Sequence, residues 1–218
     1  MNIIYRPCVK EDIKGISEIL YRTGFMGEDL TPTGRFKDKK LFALVNIEGY
    51  VRFETENGFV AQDKDTGNIL GYIIGTDNTL RYEKKIVLKM YWRIFLRLFS
   101  LTWWRYPESF RTVFYWFFTY ETKSIEHLYN EYPAHLHINI LPGYQHLGIG
   151  KNLLDMFLAN MSSKGVAGVH LGTSNYNFKA LPFYKKNGFK VIFERKNLFW
   201  PGIDDQISMI FGRDFKAG

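Results

Sequence analysis

Residues 134–174 read as strand, glycine-bearing loop, long helix and second strand, and this run restricts the fold more than any other part of the chain. AHLHINIL (134–141) has extended character that ends at Pro142-Gly143. After the loop at 144–148, Ile149, Leu153, Leu154, Phe157 and Met161 recur at helical spacing up to a stop at Lys164-Gly165. GVHLGT (168–173) is another strand, a helix over 177–187 ends at Gly188, and KVIFERKNLFW and DQISMIF supply two final strands. Upstream, IIYRP reads as a strand, and a helix beginning near Glu11 carries Ile13, Ile16, Ile19 and Leu20 on one face. The stretches 58–63 and 69–76 flank a turn-rich Asp-Lys-Asp-Thr-Gly-Asn and read as a β-hairpin. The βαβα order over 134–189 and the hairpins on both sides together predict an α/β (α+β) fold. Its central sheet is mixed and mostly antiparallel, flanked by helices.

A chain of 218 residues with 46% apolar and 23% charged side chains forms one domain over 1–218, not a disordered, collagen-like or disulfide-stapled polymer. The single cysteine, Cys8, reads as a small apolar residue, since nothing near it in sequence would lower its pKa. With no secretory pattern at the start and no spanning apolar stretch, the expected location is cytoplasmic. No Cys/His cluster has zinc spacing, so no metal is expected.

Charge is unevenly spread. Residues 81–123 hold nine basic against three acidic side chains, most of the chain's net +7, together with four of its five tryptophans. We treat residues from about 77 to 132 as an insertion. Lys85, Lys89, Arg93 and Arg97 recur every fourth residue and line up as a basic stripe on an otherwise apolar helix. The expected arrangement has the apolar face packed and the stripe solvated. Packing into the domain or dimerisation, as a homodimer through residues 81–118, comes first, a substrate lid second and a membrane surface, not favoured, third; nucleic acid is disfavoured for want of a further motif.

The most specific motif is Gln145-His146-Leu147-Gly148-Ile149-Gly150, between a strand and the long helix. Glycines there let the backbone approach a bulky anion, and the free N–H groups of the first helical turn point at it. A ligand-free glycine turn is the plain alternative. Here the sequence resembles the GNAT superfamily of acyl-CoA-dependent N-acetyltransferases. HINILPGYQHLGIGKNLL is similar to that family's acetyl-CoA motif, and GVHLGTSNYNFKALPFYKKNGF to its second motif, with Asn177, Ala180, Phe183-Tyr184 and Gly188-Phe189 in the usual relation. IIYRPCVKED resembles the first strand and helix start.

The resemblance implies acetyl-CoA as cosubstrate and a primary amine, on a small molecule or peptide, as acceptor. It implies that backbone groups of Ile138 and Ile140 line the pantetheine and thioester. The amides of Gln145, His146, Leu147, Gly148, Ile149, Gly150 and Lys151 would hold the pyrophosphate, and Asn177 would contact the cofactor or cap a helix. Tyr184 would protonate the departing sulfur. An alkyl amine with pKa near 10.4 costs about 4–5 kcal/mol to present uncharged at neutral pH, so direct attack calls for a base. His135 and His137 share one strand face with Asn139 and suit a proton relay. They resemble the His-x-His of arylalkylamine acetyltransferases but stand one residue nearer the loop, a shift that turns side chains to the other face. Glu54, Glu56 and Glu131 are alternative bases. A non-catalytic acyl-CoA-binding sensor or interaction module is the alternative function.

Overall fold

The computed structural model describes residues 2–119, 125–196 and 199–215. Glu121 and Lys123 of the basic segment, and Asn197 and Leu198 of the penultimate expected strand, lie outside them.

The chain runs through β1 (Ile3–Pro7), a single 3₁₀ turn, α1 (Ile13–Thr23), α2 (Lys39–Asn46), α3 (Glu48–Phe53), β2 (Phe59–Asp63) and β3 (Ile69–Thr76). The basic, aromatic segment then forms α4 (Thr79–Lys89), α5 (Tyr91–Arg97), a π-helical turn over Leu98–Thr102, the single turn α6 (Trp103–Arg105) and α7 (Pro107–Thr119). After it come β4 (Ala134–Ile140), α8 (Ile149–Ser163), β5 (Gly168–Ser174), α9 (Ala180–Lys186), β6 (Lys190–Lys196) and β7 (Ile207–Asp214).

All seven strands join one sheet in the order β1-β2-β3-β4-β5-β7-β6. Every neighbouring pair is antiparallel except β4 and β5, which the α8 crossover makes parallel. Successive side chains of a strand point to opposite faces. Ala61, Ile73, Leu136, Val169 and Phe211 therefore meet α8, whose Ile149, Leu153, Leu154, Phe157 and Met161 are buried as their spacing predicts. Val60, Tyr72 and Ile74 face the opposite layer, formed by α1, α2, α3 and the 79–119 helices.

The 79–119 helices differ from expectation in which side they bury. Instead of one helix there is a break at Met90, where α4 ends and α5 begins. The basic stripe turns toward the body of the protein, with Lys85 and Arg97 half-buried and Lys89 still exposed. Lys85 Nζ donates to the buried Glu54 carboxylate at 2.6 Å, Lys89 lies 5.3 Å from the centre of the Phe53 ring, Arg93 is 3.5 Å from Glu48, and Arg97 chelates Asp38 at 2.6–3.1 Å. The physical reason is the acids of α2, α3 and their flanks. Glu54 and Asp38 are fully enclosed and need cationic partners, so a stripe that could be solvated is drawn to them.

Asp38 joins three elements: its carboxylate accepts from Leu41 N as the cap of α2, from Arg97, and from the Thr102 hydroxyl at 2.6 Å. Asp38→Ala should destabilise the protein by about 3 kcal/mol, because it strands the Arg97 charge and uncaps a helix. In a chain of this size that corresponds to a fall of roughly 10 °C in thermal midpoint by calorimetry. Asp38→Asn, which keeps the cap, should lose less. An unchanged midpoint for the alanine variant would show that this network does not hold the helices down.

Candidate active site

β4 and β5 are paired only at Ala134↔Val169 and His135↔His170. From Leu136 to Ile140, β4 keeps its ladder to β3 but has no partner on the β5 side. Main-chain polar groups left so inside a sheet need another partner, and an extended ligand with amide groups supplies one. Ile138 and Ile140 stand on this open stretch.

The opening leads into the loop before α8. Gly143 (φ 91°), His146 (φ 66°) and Gly148 (φ 78°) are all left-handed, turning the backbone sharply three times within six residues. Asn152 N–H makes the first helical bond, to Gly148 O at 3.1 Å. Among the described residues, the loop amides of Gln145, His146, Leu147 and Gly148 have no hydrogen-bond acceptor, and those of Ile149, Gly150 and Lys151 belong to the unpaired first turn. A Cβ built on Gly148 would meet nothing within 4 Å, whereas one on Gly150 would come within 3.5 Å of the Phe183 ring. Gly148 thus faces open space at a helix N-terminus, whereas a Cβ at Gly150 would make an ordinary contact with the Phe183 ring of α9. The Lys151 side chain pairs with Asp155 at 2.6 Å, so this position contributes its amide, not its ammonium.

Tyr184 enters from α9. Its ring is buried against Phe183, Phe189 and Phe211. Among the described residues its hydroxyl has no hydrogen-bond partner, and burial raises its pKa well above the usual phenol range. Across the sheet, Tyr72 of β3 accepts a 2.7 Å hydrogen bond from Asn139 Nδ2. Burial raises the Tyr72 pKa, the Asn139 bond works against the rise, and the nearby Tyr184 adds to it.

His135 and His137 lie on the same face as Asn139, away from α8. His135 Nδ1 shares a 2.8 Å hydrogen bond with the Tyr50 hydroxyl, and its ring is 4.8 Å from His137 and 4.9 Å from His170. Tyr50 stacks on Tyr82 at 4.0 Å, while Tyr129 stacks on His170 and donates to Glu83. Burial, with the neighbouring imidazoles as the second cause, holds His135 well below its usual value and His137 at about 4. Both are neutral at pH 7, and too weakly basic to keep a proton drawn from an alkyl ammonium. Such a pair can pass a proton on but does not hold one.

Of the other candidates, Glu54 is enclosed and committed to Lys85, Thr76 and Asn57, while Glu56 and Glu131 are exposed. Asn177 is not the cap of α9, which starts at Ala180; its carbonyl accepts from Ala180 N and Leu181 N, and its side chain donates to Thr173 at 3.1 Å. Its Oδ1 would lie 2.5 Å from a Cβ on Gly27, so it ties the loop after α1 to the end of β5. Cys8 is buried, and that burial pushes its thiol up to about 12. Sequence reading passed over Tyr72, Tyr50 and Tyr82. Tyr72 carries the one available signal, a polar tip within an otherwise apolar strand.

The family model described as Acetyltransferase (GNAT) domain matches residues 115–191, which span β4, the loop, α8, β5 and α9. The solved structure of SsHAT aligns over 100% of this chain and 100% of its own, with 28% identity and a TM-score of 0.75. An N-acetyltransferase from Staphylococcus aureus Mu50 aligns over 99% of this chain and 100% of its own (15% identity, TM-score 0.59). The ribosomal-protein-S18-alanine N-acetyltransferase from Escherichia coli aligns over 100% and 96% (15% identity, TM-score 0.57), and these two share the fold. The parted β4–β5 pair and the left-handed loop before α8 fall within the stretch that matches the GNAT acetyltransferase domain model, and the whole chain is similar in fold to these acetyltransferases.

Proposed function

We propose that this protein transfers the acetyl group of acetyl-CoA to a primary amine by direct attack. The observation that carries the reading is the set of unpaired amides from Gln145 to Lys151, opening beside the unpartnered edge of β4. Those amides and the α8 N-terminus suit a diphosphate. The free main-chain groups of Ile138 and Ile140 would line the pantetheine arm, and one N–H there would stabilise charge building on the thioester oxygen.

The acceptor amine would approach from the α1 face, where Tyr72, Asn139 and His137 converge. His137 and His135, neutral at working pH, would pass its proton toward the Tyr50 hydroxyl that bonds His135. Tyr184, protonated throughout that range, would donate to the departing sulfur from the α9 side. In this reading acid and relay would approach the tetrahedral adduct from opposite faces of the sheet.

The test is a panel of small amines, amino sugars and peptides, read by acetyl-CoA-dependent release of free thiol. At least one amine class should give turnover that depends on both substrates. A blank panel, with coenzyme A still bound in calorimetry, would replace the transferase with a non-catalytic sensor.

A further inference from the structure

The inward turn of the basic stripe leaves the other side of the same helices bare. Phe95, Phe99, Phe114, Phe117 and Phe118 are each more than half exposed, Phe118 at 75%, and with Trp92 they help line an almost wholly apolar groove of about 700 Å³ between α5 and α7. Trp103 and Trp104 extend this surface, at 56% and 58% exposure. So large a contiguous aromatic face marks a binding surface.

What covers it follows from the charges around it. A second groove, of about 730 Å³, shares Trp92 and Leu96 with the first and is lined by Lys14, Lys39 and Lys40. Arg105 and Arg111 are exposed on α6 and α7. The carboxylates nearby are engaged: Glu18 with Arg22 and Lys39, Glu48 with Arg52 and Arg93, and Glu108 with Lys37 N and Ser109. The face therefore offers rings flanked by cations, with its local acids already paired. A second copy docked symmetrically would set these cations against their own images. A bilayer bearing anionic headgroups supplies apolar depth for the rings and phosphates for the lysines. Among the described residues no helix is long and apolar enough to cross a membrane, so these short helices would lie in the interface plane.

We propose that the α4–α7 face is a docking surface for an anionic phospholipid bilayer, independent of the acetyl-transfer reading. The full chain should co-sediment with vesicles of phosphatidylcholine and phosphatidylglycerol, and about tenfold less with phosphatidylcholine alone. Tryptophan emission should shift to the blue on binding. Phe117→Ser/Phe118→Ser should abolish sedimentation at unchanged circular dichroism. Lys14→Glu/Lys40→Glu, two exposed changes that leave the aromatic face intact, should cut binding to the anionic vesicles about tenfold. The proposal is overturned if the unaltered chain sediments with neither vesicle, or if neither variant weakens its binding. It is equally overturned if sedimentation velocity finds a dimer that Phe117→Ser/Phe118→Ser dissolves while vesicles fail to compete, since a second copy would then own the face.

Discussion

Gly148→Asp should weaken coenzyme A binding by about a hundredfold, close to 3 kcal/mol, while leaving the fold almost untouched. The two effects separate because position 148 is the left-handed cap of α8 and, in the proposed function, would also be the floor of the anion cradle. For stability, a non-glycine residue at φ 78° costs roughly 1 kcal/mol. A carboxylate at a helix N-terminus returns about 0.5 kcal/mol of that through the dipole and the free N–H groups. For binding there is no such compensation: the carboxylate would occupy the open space in front of Gly148 and set a negative charge where the proposed diphosphate would sit. Gly148→Asn, with similar shape and no charge, should retain more affinity, so the pair distinguishes repulsion from obstruction. Calorimetric titration with coenzyme A, beside thermal melts of both variants, reads the contrast. Unaltered affinity in the aspartate variant would remove the cradle from the site and the proposed activity with it.

Tyr184→Phe should lower kcat by about a hundredfold with coenzyme A affinity and stability unchanged. The ring contacts with Phe183, Phe189 and Phe211 survive the substitution, and the hydroxyl has no partner among the described residues to leave stranded. What would be lost, in the proposed function, is one proton offered to the sulfur. That proton stays on the phenol through any working pH, because burial raises the Tyr184 pKa. The defect should therefore shrink as pH rises past the thiol's own pKa, where a thiolate departs without needing protonation. A full-rate phenylalanine variant would assign Tyr184 to packing alone, and a defect independent of pH would place its role elsewhere than in proton donation.

The loop before α8 was the most legible part of the candidate site in sequence, because its signals are local. Gln145 to Gly150 lie within one loop, and the recurrence of Ile149, Leu153, Phe157 and Met161 needs only helical geometry to read. The mixed sheet followed from the same stretch. What periodicity cannot say is which side of an amphipathic helix faces the protein. The stripe from Lys85 to Arg97 was marked correctly as a stripe, yet its direction is set by Asp38, Glu48 and Glu54, residues 31 to 59 positions away for the bonds to Lys85 and Arg97. The histidine pair shows the same limit. Its shared face was readable from strand alternation, but the Tyr50 that bonds His135 lies 85 residues upstream, in a short helix with no pattern strong enough to announce it. Asn177 was placed one turn too close to its helix, since a three-residue lead-in looks, in sequence, like the helix itself.

The five indoles divide into two optical classes. Trp200 and Trp116 are interior, stacked with Phe42 and with Phe36 and Phe199, and Trp116 donates from Nε1 to the Phe199 carbonyl at 2.6 Å. Trp92, Trp103 and Trp104 stand in water. A dissolved quencher such as acrylamide will extinguish the second class first and leave a blue-emitting remainder, so one steady-state spectrum can follow the interior and the surface of this chain as separate reporters, without any label being attached.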